Sequence, residues 1–285
     1  MQTLTLADGR KLSFAEYGAL DGTPVLWAHG GPGSRLEPKG FDDTARAAGF
    51  RLVGIDRPGY GGSTPLPGRS IGDWPADALA LADHLGPKDF YGVGVSTGGA
   101  YALALAAKSA RVGGVVACCA LADMRWDSAR DGLMLEIFKA WTAPSRDAAI
   151  AMTEDQFGAD GSKLMDVLPP GLLPPADVAA LTAPTGLVAD AAEGQATEFA
   201  QGVVGYVDDR LADGPGWGSF DLAAIRCPVI VLHGEADPLV PPAHARHTAE
   251  ITPGARLEMR EGLGHISITV EVLPALAALR GAVAD

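Results

Sequence analysis

The sequence has few cysteines and few positive charges, and these shortages narrow the possible functions. Its three cysteines, Cys118, Cys119 and Cys227, are odd in number and form no C-x-x-C pair, which argues against a disulfide framework and a cysteine metal site. The chain has 22 lysines and arginines against 35 aspartates and glutamates, a net charge of −13, and no basic stripe. A nucleic-acid partner is therefore not expected, because a phosphate-binding face needs clustered cations.

Long apolar runs are also missing. A membrane-spanning helix needs about 20 consecutive apolar residues, and no uncharged stretch of this sequence is that long. The first ten residues alternate like a strand, with Leu4 and Leu6 as apolar positions, and they do not combine a basic region with an apolar run as a signal peptide does. We expect a cytoplasmic protein without a membrane span, and nothing in the sequence sets its oligomeric state.

The chain of 285 residues is 47% hydrophobic, which is enough for one large α/β domain or for one domain with an insertion. Strand-like and helical segments alternate up to residue 123 and again after residue 213, which predicts a mostly parallel sheet flanked by helices. The predicted strands are a hairpin of Leu4–Leu6 and Leu12–Tyr17, then Pro24–Ala28, Arg51–Ile55, a segment ending at Gly94, Val112–Ala120, Pro228–Leu232 and Arg256–Arg260. The predicted helices are Phe41–Ala48, Asp73–Leu85, a segment from after Ser96 to Ser109, Ala243–Ile251 and Val270–Leu279.

The alternation stops between residues 124 and 213, where no strong strand pattern is present. Helices are predicted there instead, separated by a proline-rich linker at Leu168–Pro175 that suits neither a helix nor a central strand. The predicted helices of this segment are Asp131–Trp141, Pro144–Phe157, Asp177–Leu181 and Ala189–Val207. We therefore predict a core domain of residues 1–123 and 214–285, with a helical cap subdomain of residues 124–213 inserted after the sixth strand.

A G-x-S-x-G motif, formed by Gly94, Ser96 and Gly98, lies between a predicted strand and a predicted helix. A serine on such a sharp turn has a strained backbone, and glycines on both sides remove clashes with the neighbouring strand and helix. The turn would present the Ser96 hydroxyl at the carboxyl edge of the sheet. The helix amino terminus behind it favours a developing negative charge. Ser96 is the candidate nucleophile.

Two further candidates follow the last two predicted strands. Asp237 comes after the first of them and His265 after the second, so the chain order is Ser, Asp, His. Imidazole is a suitable base near neutral pH, and it needs a carboxylate to hold its tautomer and to stabilise its charged form. Asp123 is a rival for the role of that acid, because it follows the Val112 strand, and Glu235 is a weaker rival.

A glycine-rich loop, His29–Gly33, follows the Pro24–Ala28 strand. Such a loop can turn a backbone N–H into the active site, and we expect the N–H groups of Gly31 and Thr97 to bind an oxyanion. His29 is expected to shape this loop through hydrogen bonds. His84, His244 and His247 occur in helical patterns and are expected to be solvated.

With these motifs the chain resembles the α/β-hydrolases from about residue 11 to its end. The motifs that carry the resemblance are the loop His29–Gly33, the loop Asp56–Ser63, the elbow Gly94–Gly98, Asp237 and His265. The resemblance implies an α/β-hydrolase fold and a serine hydrolase of ester-like acyl bonds. It implies a small-molecule acyl substrate, an acyl-enzyme intermediate, and no metal or organic cofactor.

Two other functions stay open. The form of the His29–Gly33 loop also resembles proline iminopeptidases, although Thr97 stands where that group usually has Trp. Those peptidases hold the substrate amino group with cap carboxylates, and Glu136, Glu193 and Glu198 are available in the predicted cap. The second alternative is a non-catalytic protein that keeps the fold and uses the pocket to bind a ligand.

Overall fold

A computed structural model describes residues 2–183, 185–186 and 191–284. Its main sheet has eight strands in the order β1-β2-β4-β3-β5-β6-β8-β9, in which β2 pairs antiparallel with both of its neighbours, β1 and β4, and all other neighbouring strands pair parallel. The strands are β1 Gln2–Thr5, β2 Lys11–Gly18, β3 Thr23–Ala28, β4 Phe50–Ile55, β5 Phe90–Val95, β6 Val112–Cys118, β8 Val229–Gly234 and β9 Ala255–Arg260; a short strand outside this sheet is β7 Ala200–Val203. The predicted α/β architecture is confirmed.

Helices cover both faces of the sheet. They are α1 Asp42–Ala47, α2 Trp74–Leu85, α3 Gly98–Lys108, α4 Arg146–Phe157, α5 Pro175–Leu181, α6 Ala191–Glu198, α7 Val204–Asp213, α8 Pro242–Ile251 and α9 Val272–Ala284. Leu81 of α2 and Leu103 of α3 pack into the apolar core on one face, whereas Leu276 of α9 packs into the core on the other. Strands β5 and β8 are buried at every position, as parallel strands covered on both faces should be.

Two further observations concern the cysteines and the helices. Cys118, the last residue of β6, and Cys119, which follows it, are buried free thiols. Over the residues described by the structure, no helix combines the length and apolarity needed to cross a membrane.

The predicted helix Asp131–Trp141 is wrong. A 3-10 helix spans Leu135–Thr142 instead, and Phe138 inside it has a non-helical backbone. Gly132 has a φ of +73°, a left-handed conformation that ends a right-handed helix and is readily adopted only by glycine. Phe138 and Trp141 still meet, with their rings stacked 4.3 Å apart, so the apolar periodicity reflects a packed cluster rather than an α-helix.

The single helix predicted for Ala189–Val207 is also wrong. Residues 189 and 190 lie outside the described residues, and the rest divides into α6, β7 and the start of α7. Gly202, with a φ of +71°, interrupts the helical path, and β-branched residues around it favour an extended chain. The division matters for function because the end of α6 and the middle of α7 both reach the candidate site.

Candidate active site

Ser96 lies on the turn between β5 and α3, with a φ of +52°. This is the left-handed region, which is unfavourable for a residue with a side chain. The tight approach of the chain explains the flanking glycines. A β-carbon on Gly94 would fall 2.2 Å from the carbonyl oxygen of Gly98, and one on Gly98 would fall 2.0 Å from that of Ala28. No other residue fits at either position, so the turn is held in the conformation that presents Ser96.

His265 and Asp237 meet at the same edge of the sheet. His265 Nδ1 donates to Asp237 Oδ2 over 2.8 Å. The other carboxylate oxygen, Oδ1, accepts from the backbone N–H groups of Leu239 and Val240, both at 2.9 Å. These bonds orient the carboxylate toward the imidazole. The loops after β8 and β9 thus bring together two residues that are 28 positions apart.

The rival acids are placed elsewhere. Asp123 binds the guanidinium of Arg125 and the backbone N–H of Trp217, and Glu235 is exposed. Neither is a hydrogen-bond partner of His265 among the contacts in the described part of the chain. Asp237 is the carboxylate that faces the imidazole.

The environment of this pair makes the imidazole more basic. Burial opposes the charged form of His265, but the negative charge of Asp237 and the hydrogen bond to it raise the pKa of His265 well above its usual value. Burial likewise opposes ionisation of Asp237, and the neighbouring His265 nevertheless brings the pKa of Asp237 below its usual value. The pair therefore favours proton uptake by the imidazole.

Gly31 and Thr97 are in contact on the other side of Ser96. A β-carbon on Gly31 would fall 2.8 Å from Thr97 Oγ1. Thr97 begins the turn into α3 and is buried, whereas Gly31 is partly buried.

A buried ionic network holds the loop that contains Gly31. The guanidinium of Arg57 donates to the carbonyl oxygens of His29 and Gly30 and, at 2.7 Å, to Asp209 Oδ2. Arg69 binds the other oxygen of Asp209 at 2.7 Å. Asp209 lies on α7, so the segment inserted after β6 supplies the counter-ion of two core arginines. Burial opposes its charge, but the arginines lower the pKa of Asp209 strongly.

His29 is part of the same network. Its Nδ1 lies 2.6 Å from the carbonyl oxygen of Gly30, and its Nε2 accepts from the backbone N–H of Arg57. Burial, followed by the charge of Arg57, lowers the pKa of His29 well below its usual value, so the ring is neutral near pH 7. His29 shapes its loop, as the sequence predicts.

One histidine prediction is wrong. His244 is fully buried rather than solvated, and its Nδ1 accepts from the backbone N–H of Ala122. Burial lowers the pKa of His244 to about 4. The helical pattern of α8 does not show that this face packs against the chain after β6, and no signal in the sequence distinguishes it.

A cavity of about 220 Å³ contains both Ser96 and His265 in its lining, together with Gly31. Most of the remaining wall is apolar and comes largely from the segment after β6. These side chains include Ile137, Phe157, Leu164, Met165, Leu168 and Tyr206. Water-poor surroundings of this kind strengthen electrostatic interactions with a bound polar group.

Two carboxyl groups also line this cavity. Glu37 accepts from Trp27 Nε1 at 2.7 Å and from the backbone N–H of Gly30 at 2.8 Å. Burial, opposed by these two bonds, raises the pKa of Glu37 to about 7. Glu198, at the end of α6, has a pKa raised to about 7 by burial and then by the charge of Glu37. The other two glutamates that the sequence analysis considered differ, since Glu136 pairs with Lys139 and Glu193 with Lys39.

Sequence reasoning missed Glu37 and the basic residue nearest to the site, Arg210. Glu37 follows the glycine-rich loop by four positions, and an acidic residue so close to such a loop was a usable signal. Arg210 Nη2 donates to Thr97 Oγ1 at 2.6 Å across 113 residues of sequence. No local pattern could have indicated that contact.

Comparison with known proteins identifies relatives along nearly the whole chain. The family model for the alpha/beta hydrolase fold matches residues 23–272. A non-heme chloroperoxidase of Streptomyces lividans is 30% identical over 96% of this chain and 96% of its own length. A proline iminopeptidase of Xanthomonas citri is 36% identical, but only over 39% of this chain and 36% of its own length.

Among solved structures, a thermophilic esterase from Thermogutta terrifontis superposes with a TM-score of 0.72, covering 99% of both chains. Its sequence identity is 23%, so this likeness shows the shared fold. The extent of the match indicates that the inserted segment, as well as the sheet, has a counterpart there.

Proposed function

The chain belongs to the α/β-hydrolase fold family, and we propose that within it the protein is a serine hydrolase that cleaves carboxylic esters or related acyl bonds. The observation that carries the proposal is the joint placement of Ser96 and of the His265–Asp237 pair around one cavity. A hydroxyl needs a base to become a nucleophile, and an imidazole oriented by a carboxylate is such a base.

The proposed reaction has two halves. Ser96 Oγ attacks the acyl carbonyl carbon while His265 takes the hydroxyl proton, and the tetrahedral oxyanion is held by the N–H groups of Gly31 and Thr97. The alcohol then leaves with the proton from His265, and Ser96 keeps the acyl group. Water attacks that acyl-enzyme with His265 again as the base, which releases the acid and restores Ser96. Asp237 stabilises the imidazolium in both halves.

The size and lining of the cavity favour substrates with small acyl groups. Pockets for drug-sized ligands are typically about 300–1,000 Å³, and the space beside Ser96 is about 220 Å³. Apolar side chains from the inserted segment form much of its wall. A short aliphatic acyl chain fits this volume and this lining better than a long fatty acyl chain does.

The test is a series of p-nitrophenyl esters of increasing acyl length, read at 400 nm as nitrophenolate release, together with a fluorophosphonate probe. We expect turnover that peaks at short chains and probe labelling confined to the peptide that contains Ser96. Folded protein that neither turns over any ester nor reacts with the probe would contradict the proposal and favour the non-catalytic ligand-binding alternative.

The same acyl-enzyme suggests how the chain compares with its chloroperoxidase relative. If hydrogen peroxide replaces water in the second half, the acyl group leaves as a peroxy acid, and Ser96 is restored in the same way. A peroxy acid can oxidise halide without further help from the protein. In acetate buffer the acyl-enzyme would form by the reverse of deacylation, in which acetic acid acylates Ser96 and water leaves. Peroxide-dependent halogenation of monochlorodimedone in that buffer, lost in Ser96→Ala, tests this extension.

A proline iminopeptidase-like aminopeptidase is the second candidate, and Glu198 favours it. Glu198 lines the Ser96 cavity with Glu37. The charges of Arg57 and His265 act on Glu37, whereas no ion pair of Glu198 is found among the contacts of the described residues. An ammonium group entering the cavity would meet these acids. The partial match to a proline iminopeptidase points the same way.

Glu198→Gln separates the two candidates. For an aminopeptidase, we expect kcat/KM for prolyl p-nitroanilide to fall about 10–100-fold, because a hydrogen bond to a charged group contributes about 1.5–3 kcal/mol. Turnover of an uncharged p-nitrophenyl ester should stay within about threefold. Since the pKa of Glu198 is raised to about 7, the preference for a free amine should grow as pH rises through 7 and the carboxylate forms.

Glu193→Gln is the matched control, because Glu193 is on the same helix but pairs with Lys39 at the surface. It should leave both substrates unchanged. If wild-type protein cleaves neither prolyl p-nitroanilide nor its N-acetyl form while hydrolysing esters, the aminopeptidase candidate is eliminated.

A further inference from the structure

Arg210 lies directly behind the two residues assigned to the oxyanion. Its side chain, on α7, is buried, and its Nη2 donates to Thr97 Oγ1 at 2.6 Å. A β-carbon on Gly31 would fall 3.3 Å from the same nitrogen. One guanidinium from the inserted segment therefore contacts both Thr97 and the immediate surroundings of Gly31.

The surroundings of Arg210 fix it in this place. Its Nη2 is 2.6 Å from Asp213 Oδ2, and Trp141 Nε1 donates to the other oxygen of Asp213 at 2.7 Å. The guanidinium carbon lies 5.2 Å from the ring centre of Phe138 and 5.1 Å from that of Tyr206. Aromatic faces and an ion pair hold a planar guanidinium in one orientation.

Stability alone does not account for this arrangement. Removing a guanidinium and a carboxylate from water is unfavourable, and a well-packed apolar replacement is often as stable. The hydrogen bonding is also incomplete, since the buried Nε of Arg210 has no hydrogen-bond partner within the described chain. The cation is placed where one of its hydrogen bonds goes to the residue that follows the candidate nucleophile.

We propose that Arg210 is a positioning residue for the oxyanion donors, an inference that rests on the proposed hydrolase function. Through Thr97 Oγ1 it fixes the first turn of α3, which sets the direction of the Thr97 N–H. It also places a positive charge beside the point where the carbonyl oxygen becomes negative. The negative charge on that oxygen exists in the tetrahedral transition state and not in the bound ester. The effect of Arg210 therefore falls on kcat rather than on KM.

The experiment compares Arg210→Met with wild-type protein on a short-chain p-nitrophenyl ester. We expect kcat to fall about 10–100-fold, less than the 10²–10³-fold typical when a direct oxyanion donor is removed, with KM within about threefold. The rate of labelling by a fluorophosphonate should fall by a similar factor, because that reaction also develops charge on a tetrahedral centre. Arg210→Lys, which keeps the charge, should recover part of the loss.

Thr97→Val tests the same contact from the other side and does not delete the buried cation. It should lower kcat by a similar factor, Thr97→Ser should restore it, and the double variant Arg210→Met/Thr97→Val should be little worse than the poorer single variant. Arg146→Met is the matched control. Arg146, on α4, pairs at 2.6 Å with Asp208, which is on α7 like Arg210, and it does not contact Thr97. In this variant kcat should stay within about twofold of wild type.

Three results would overturn the inference. They are an unchanged kcat in folded Arg210→Met, a loss confined to KM, and an equal kcat loss in Arg146→Met, which would indicate general loosening of the segment. If Arg210→Met does not fold, a kcat in Thr97→Val equal to that of wild type overturns it. Ser96→Ala distinguishes failure of the proposed function from failure of this inference. Activity retained in Ser96→Ala would contradict the proposed function. Activity that depends on Ser96 but is unchanged in Arg210→Met would contradict only the role of Arg210.

Discussion

Replacing Ser96 with alanine should lower kcat for ester hydrolysis by about four to six orders of magnitude. The variant lacks the atom that would carry the acyl group, and binding and oxyanion contacts alone leave only a small residue of catalysis in enzymes of this type. The strained backbone at a φ of +52° imposes the same conformation on alanine, so the fold should be unaffected. Initial rates with a p-nitrophenyl ester at saturating concentration measure the effect.

The comparison needs a serine that is outside the site. Ser162 is exposed on the inserted segment, and Ser162→Ala should match wild-type protein in turnover and in fluorophosphonate labelling. Ser96→Ala should lose both while keeping the wild-type circular dichroism spectrum. A variant at Ser96 that retains more than about a tenth of the activity would show that another nucleophile performs the reaction.

Asp237→Asn should reduce kcat by about 10⁴-fold, the size seen when a buried triad aspartate becomes an amide and the imidazole takes the wrong tautomer. It should also move the acidic limb of the pH profile. In the proposed mechanism His265 must be neutral to accept the Ser96 proton, so activity should rise with pH through the pKa of His265. Asp237 raises that pKa well above its usual value, against the effect of burial.

The sign of the shift follows from removing the anion. Without the charge of Asp237, His265 loses the largest influence that raises its pKa and keeps the smaller one of Cys119, while burial still lowers the pKa. The residual activity of the variant should therefore begin at a lower pH than that of wild type. Profiles of kcat/KM from pH 5 to 9 measure this. Asp123→Asn is the control for the rival acid, and its limb should coincide with that of wild type; a shift there instead would reassign the acid.

The features predicted well from the sequence are those that depend on residues close together in the chain. The turn at Ser96 requires glycines at fixed neighbouring positions because a β-carbon on Gly94 would fall 2.2 Å from the carbonyl oxygen of Gly98, and a sequence motif records such a requirement. Buried parallel strands leave continuous apolar runs. The end of β8 could therefore be found, and the alternating apolar residues of β9, a partly buried strand at the edge of the sheet, mark the end of that strand. Asp237 and His265 follow these two strand ends.

The elements that could not be predicted depend on contacts between distant segments. Arg210 contacts Thr97 from α7, and Glu198, at the end of α6, lines the same cavity as Ser96. The false helix at Asp131–Trp141 has a related cause. Its apolar spacing is compatible with a helix, but Gly132 turns the chain and Phe138 and Trp141 meet by stacking instead.

The position of Asp209 has a consequence for exchanging the segment between β6 and β8 with that of a relative. Asp209 is the buried counter-ion of Arg57 and Arg69, and the adjacent Arg210 donates a hydrogen bond to Thr97. Helix α7 is therefore bound by ionic and hydrogen-bond contacts to residues that precede β6. A chimaera cut at residue 213 would deprive two arginines of their anion, which typically costs about 3–5 kcal/mol. A junction before Val204 keeps the α7 of the recipient protein. Residues 124–203 are then the segment that can be exchanged to alter substrate choice.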